Sequence, residues 1–269
     1  MNSAQLWRAN AISPDRFLAF HRVFTRAELL ADLPGRSAAT IDRTLARWRQ
    51  QGRIEPVKRG LFVRLEPGEA LPDHATLAAR MAPDAAAAYH TALEVHGCAQ
   101  SLFERFHFVT WTRVKAVTYH GRDLVPVRPR AQLAPDSGEG WIETHERNGI
   151  ELRVTSLERT AVDVLDRLDL AGGVEEVWRS LAGLPAIDPV ALLEYVFALQ
   201  SARVAARVGF FLESRREELA VPASTLADLQ DLLPQHPVHM ERALGGHLNR
   251  RWRVIVPSEL AGPPEEAGA

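Results

Sequence analysis

Ser37-Ala38-Ala39-Thr40-Ile41-Asp42-Arg43-Thr44-Leu45-Ala46-Arg47-Trp48-Arg49-Gln50-Gln51-Gly52 has the marks of an amphipathic helix stopped at both ends. Serine at the start supplies an oxygen for the free amides of the first turn, and glycine at the end accepts the left-handed backbone that closes the last. With Ile41 at zero and steps of about 100° per residue, Leu45 and Trp48 fall within roughly 40° of it. Those three form a face that must be covered. Opposite them lie Arg36, Arg43, Arg47 and Gln50, with Thr40 at the edge.

The flanking segments supply the cover. Upstream, Ser13-Pro14-Asp15 combines a cap, a proline at the first helical position and an acid in the first turn, and predicts a helix with Phe17, Phe20 and Val23 inward. Thr25-Arg26-Ala27-Glu28 is a capping box opening a short helix that carries Leu29, Leu30 and Leu33 and stops at Pro34-Gly35. Downstream, residues 53–57 and 61–65 alternate like strands around Lys58-Arg59-Gly60, where the glycine can take the positive φ of a tight turn. Three helices followed by a hairpin is the order of a winged helix-turn-helix, placed at residues 1–66. Glu66 to Pro72, rich in proline and glycine, is expected to link it to a second domain over residues 73–260.

That second part predicts the fold class α+β: a mixed domain with a small sheet and a helical C-terminal half. Helices are expected over 74–81 and 83–97, and strands over 106–112, 114–120, 141–145 and 150–155, with a turn at Asn148-Gly149. Thr155-Ser156-Leu157-Glu158 looks like a second capping box, opening a helix to about residue 170. Further helices are expected over 174–182, 189–200, 203–219 and 223–232. A late strand over 251–256 is expected to return to the sheet, and the tail from 262 to be disordered.

The net charge of −2 hides an asymmetry. Residues 1–66 hold twelve cations against six carboxylates, so the remainder is acidic. A basic module on an acidic body predicts that the first part meets a polyanion. Nearly all the cations are arginine, including those of the acidic part, which points to codon usage rather than local chemistry.

A basic helix of this kind suits the major groove of DNA, entered with its N-terminal half. Arginine donates two hydrogen bonds to guanine O6 and N7, while threonine and glutamine reach bases or phosphates. The expected contact set is therefore Arg36, Ser37, Thr40, Arg43, Arg47 and Gln50, with Lys58 and Arg59 at the hairpin tip clamping a flanking phosphate. The structural alternative is a solvated helix face.

Signals for other chemistries are weak. Cys98 is the single cysteine, which rules out an intramolecular disulfide or a cysteine zinc site. His90 and His96, six apart, fall on opposite sides of one helix, where a metal pair wants a spacing of three or four. His107 and His120 sit in adjacent strand candidates without a carboxylate cluster. Glu158 serves as a cap, and Arg159 with Asp163 forms an i, i+4 pair. Gly172-Gly173 and Gly245-Gly246 lack the companions of a phosphate loop, and Gly-x-Ser-x-Gly is absent. No enzyme, cofactor or metal site is predicted. The start, Met1-Asn2-Ser3-Ala4-Gln5, lacks the regions of a signal peptide, and no apolar run reaches bilayer length, so a cytoplasmic location without membrane attachment is expected.

Three passages resemble the AbiEi-type antitoxins of type IV toxin–antitoxin systems. They are Phe24-Thr25-Arg26-Ala27-Glu28-Leu29-Leu30 with Gly52-Arg53-Ile54 and Arg59-Gly60-Leu61-Phe62-Val63; Tyr89-His90-Thr91-Ala92-Leu93-Glu94-Val95-His96-Gly97; and Val154-Thr155-Ser156-Leu157-Glu158-Arg159-Thr160-Ala161-Val162-Asp163, continuing through Gly172-Gly173 to Val177. The resemblance implies a repressor of its own operon that binds promoter inverted repeats in double-stranded DNA. It also implies a nucleotidyltransferase-like toxin, neutralised without a stable complex. The alternative is a stand-alone regulator whose acidic domain senses a ligand or binds a protein directly, for which the stripe Val204, Val208, Phe211 and Leu212 offers a docking face.

Overall fold

The computed structural model describes residues 13–133, 139–147, 149–184 and 186–260; the tail from 262 and Asn148 of the expected turn lie outside them. The chain is a mixed α+β protein with three sheets among the described residues. Helix α1 (Pro14–Phe20) starts as expected, the Ser13 hydroxyl accepting the Arg16 amide at 3.2 Å. Two inward residues need correction. Phe20 is 74% exposed, and Val23, though buried, belongs to a three-residue strand, β1 (Val23–Thr25). Helix α1 ends at Phe20, where His21 turns back to stack on Phe17, so Leu18 rather than Phe20 joins the core.

Helix α2 (Arg26–Asp32) opens on the capping box, the Thr25 amide donating to Glu28 Oε2 at 2.6 Å and the Glu28 amide to Thr25 Oγ1 at 3.1 Å. Helix α3 (Ala38–Gln50) is capped by Ser37 and buries Ile41, Leu45 and Trp48. Strands β2 (Ile54–Lys58) and β3 (Leu61–Arg64) form the hairpin, with Gly60 at φ +84° in its two-residue turn. All three strands are antiparallel, in the order β1-β3-β2.

Successive residues of a strand point to opposite faces, and both faces of this sheet are covered. Phe24, Ile54 and Phe62 pack with Phe17, Leu29, Ile41 and Trp48. Val23, Val57, Leu61 and Val63 pack the other way, against Leu77, Met81, Phe106, Tyr119 and Ile150. The linker is therefore a covalent boundary with a continuous apolar core beside it.

Helix α4 (His74–Ala79) follows, capped by Asp73. The helix expected over 83–97 is divided in two: a short strand, β4 (Ala86–Ala87), and helix α5 (His90–Val95). Ala86 and Ala88 face the C-terminal helices, while Ala87 faces Ala79 and Ala92 of α4 and α5. Alanine favours helix in isolation, but here a strand between two close layers requires side chains this small.

Strands β5 (Arg105–Val109), β6 (Val117–Tyr119), β7 (Arg122–Val127), β8 (Ile142–Arg147) and β9 (Ile150–Thr155) complete a six-stranded mixed sheet in the order β6-β7-β5-β4-β9-β8. β7 escapes sequence reading because Pro126 and two charges interrupt its pattern. Helix α6 (Leu157–Asp166) is capped by Ser156, so the second capping box is overturned: Glu158 Oε1 accepts the Asp188 amide at 3.1 Å instead. Helices α7 (Val174–Ala182), α8 (Pro189–Leu199), α9 (Ala202–Ser214) and α10 (Ala223–Asp231) enclose α6. The stripe of Val204, Val208, Phe211 and Leu212 on α9 is core, at most 1% exposed, so it is not a docking face.

The late strand does not rejoin the large sheet. β10 (Val238–His239), β11 (His247–Asn249) and β12 (Val254–Val256) form a separate sheet, β10-β12-β11. It is held to α9 by Trp252, which is fully buried over Gly209 and donates from Nε1 to Glu213 Oε2 at 2.6 Å.

A Cβ at position 209 would lie 2.0 Å from the Trp252 ring. Gly209→Ala is therefore expected to destabilise the protein by about 1–3 kcal/mol or more, through overpacking. Denaturant midpoints check this; an unchanged midpoint would mean that the indole moves freely.

Candidate nucleic-acid interface

The α3 face and the hairpin tip decide the electrostatics of the first module. All six of its carboxylates have cationic or histidine partners: Asp15 with Arg53 at 2.7 Å, Glu28 with Arg80, Asp32 with His21 at 3.7 Å, Asp42 with Arg26 at 2.6 Å, Glu55 with His120 at 3.0 Å and Glu66 with Arg64 at 3.1 Å. Asp42, the one acid on α3, is exposed and bonded to Arg26, and the other five lie off that helix. Among the described residues, Arg36, Arg43, Arg47, Arg49, Lys58 and Arg59 have no carboxylate within ion-pair distance. Uncompensated arginines crowded on one face repel one another, and a polyanion relieves that repulsion.

The expected set divides by position. Arg36, Ser37, Arg43, Arg47 and Gln50 are all exposed along one side of α3, and Thr40 is partly covered. Ser37, Thr40 and Arg43 form a local chain, with Ser37 Oγ and Thr40 Oγ1 3.0 Å apart and Arg43 Nη2 donating to Thr40 Oγ1 at 3.3 Å. Ser37 also caps the helix, so its hydroxyl serves the fold first. At the turn, Arg59 is exposed but Lys58 closes β2 and is half-buried. Burial lowers its ammonium below the ordinary 10.5. Lys58 and Arg59 also line a cleft against Arg80, Pro83 and Arg153, so the hairpin tip leans on the second part of the chain.

One cation was missed. Arg49 lies about 80° from Ile41 on the wheel, close to the buried arc. In three dimensions it borders a groove between α3 and the hairpin, shared with Arg26, Asp42, Ala46 and Arg59. The α3 wheel had no signal for it, because the groove exists only once the hairpin folds alongside.

The other sequence candidates separate. His90 is fully buried, stacked on Phe103 and flanked by Glu94 and Glu176 at 3.2 and 3.4 Å. His107 is buried in β5, where desolvation pushes it down to about 4. His120 joins Glu55 across the two parts. Arg159 and Asp163 do pair, at 3.2 Å, but both are buried and Tyr195 donates to the same carboxylate at 2.8 Å. This is a core network, not a solvated helix pair, and burial raises the Asp163 carboxyl above its ordinary value despite its partners. Among the described residues no helix is long and apolar enough to cross a membrane.

The fold and this face define a mixed α+β protein with a basic N-terminal module. The chain matches no protein-family profile and no curated protein. It is similar in fold to the crystal structure of the RV2827C protein from Mycobacterium tuberculosis, at 17% identity over 93% of this chain and 91% of that one, with a TM-score of 0.56.

Glu28 links α2 to Arg80 of the second part. Burial raises its carboxyl, but hydrogen bonds from Thr25 and the Arg80 guanidinium outweigh this and hold it below its ordinary 4.5. A lowered carboxyl stabilises the fold above its unfolded pKa, and that contribution is lost as pH falls through the folded one. Glu28→Gln keeps the capping-box geometry and removes the charge. The variant is expected to be less stable by up to about 1 kcal/mol at neutral pH, since Glu28 is partly exposed. Thermal melts should show that difference shrinking below about pH 4.5; a constant difference would place its origin elsewhere.

Proposed function

We propose that the chain is a DNA-binding transcriptional repressor, its first 66 residues a winged helix-turn-helix with α3 as recognition helix. The observation that carries this is the run of exposed arginines without carboxylate partners on α3 and at the hairpin turn. Five of the module's six acids lie off α3, and the sixth, Asp42, is bonded to Arg26. Arg43 and Arg47 face base edges, Thr40 and Gln50 reach bases or phosphates, Arg36 and Ser37 sit at the entering N-terminal end, and Arg49 and Arg59 meet phosphates at the groove wall. Lys58, already partly desolvated, stands behind Arg59.

The resemblance to AbiEi-type antitoxins extends the proposal to operon autoregulation through promoter inverted repeats, and to neutralisation of a nucleotidyltransferase-like toxin in the cytoplasm. No catalysis is assigned to the chain.

A gel-shift titration against the promoter of its own operon, beside a scrambled duplex, tests the reading. Arg43→Ala and Arg47→Ala are each expected to weaken promoter binding by about 1–3 kcal/mol and to relax sequence preference. Arg59→Ala should weaken both duplexes alike and flatten the slope of log K against log salt by about 0.9. Equal affinity for promoter and scrambled DNA, unchanged in the Arg43→Ala/Arg47→Ala variant, would reduce the arginine face to a solvated surface.

A further inference from the structure

The sequence rejects His96 as a metal ligand because its neighbour on the helix, His90, points elsewhere. The fold supplies different companions. His96 stands at the C-terminal end of α5, and Glu143 and His145 alternate on one face of β8, the edge strand of the large sheet. One ligand atom from each of the three lies within 4.8 Å of the others.

Three further features suit a cation. β8 pairs in register with β9, Glu143 opposite Val154 and His145 opposite Leu152, so two of the ligands sit on a paired strand rather than a free loop. His96 Nε2 lies 2.8 Å from the Thr155 carbonyl oxygen. That oxygen only accepts, so it holds the ring proton on Nε2 and leaves the lone pair on Nδ1; an outer carbonyl partner of this kind fixes the tautomer of metal-bound histidines. Last, His145 Nε2 and Glu143 Oε2 are 2.9 Å apart and reach solvent; the carboxylate only accepts, so this hydrogen bond carries the ring proton that a bound ion would displace.

We infer that His96, Glu143 and His145 form a binding site for a divalent transition-metal ion of the zinc class. Two imidazoles and one carboxylate are a borderline-soft donor set. Three protein ligands leave a fourth position of a tetrahedral ion for water or a further group. The bound ion ties the end of α5 to the face of β8, the edge strand of the sheet. The site is separate from the α3 face, so DNA binding and metal binding can fail independently.

The test uses the full-length protein, stripped with chelator and titrated with Zn²⁺ against a chromophoric competitor, with Co²⁺ as a spectroscopic probe. Wild type is expected to bind one equivalent tightly, to give the strong visible absorption of four-coordinate Co²⁺ and to melt at a higher temperature with Zn²⁺. His145→Ala and Glu143→Gln, both at a partly exposed edge, should each lose about tenfold or more in Zn²⁺ affinity and abolish the melting shift. If His145→Ala does not fold, Glu143→Gln carries the comparison. Zn²⁺ binding equal in wild type and variants, or a Co²⁺ spectrum no different from that of the free aqua ion, would overturn the inference.

Discussion

The alternation of Leu61, Phe62 and Val63 along one strand organises the molecule. A two-residue period sends Phe62 into the helices of the first module and its neighbours into the second part of the chain. A one-residue slip would exchange the two sets, so neither core tolerates another register. The first module is thus held on one side by its own helices and on the other by the large sheet and α4.

That constraint shapes the basic face. Because the sheet is covered twice, α3 packs over one side with its arginines outward, and the hairpin turn comes to rest beside it and against the second part. Glu28 finds Arg80 and Glu55 finds His120 in the second part, while Asp42 on α3 itself is taken up by Arg26. The uncompensated charge on α3 follows from where the acids are used, not from the number of arginines alone.

The acidic part shows the same economy in another form. Its central helix, α6, is buried around its whole circumference and still carries Arg159, Asp163 and Asp166. Each has its partners: Arg159 and Tyr195 on Asp163, and Arg130 and Arg203 on Asp166. Ions buried this way are costly to desolvate and tolerable only when fully bonded.

Much of the first module was legible from local chemistry. Caps at Ser13, Thr25 and Ser37 and the hydrophobic period of α3 are short-range signals, and the helices begin where those signals put them. Strand β9 was legible for the same reason. Phe20 was misplaced because α1 is too short for its period to fix a face. The Ala85–Ala88 run was misread because helix propensity favours alanine, whereas the strand form is set by the two layers that enclose it. β7 and the separate C-terminal sheet depend on partners far along the chain and leave no local trace. The sites divide likewise. The Arg43 and Arg47 face could be read from one helix, but Arg49 beside Arg59, and His96 beside Glu143 and His145, come together only when separate elements pack. A sequence period describes one element's faces, and tertiary packing alone decides which faces meet.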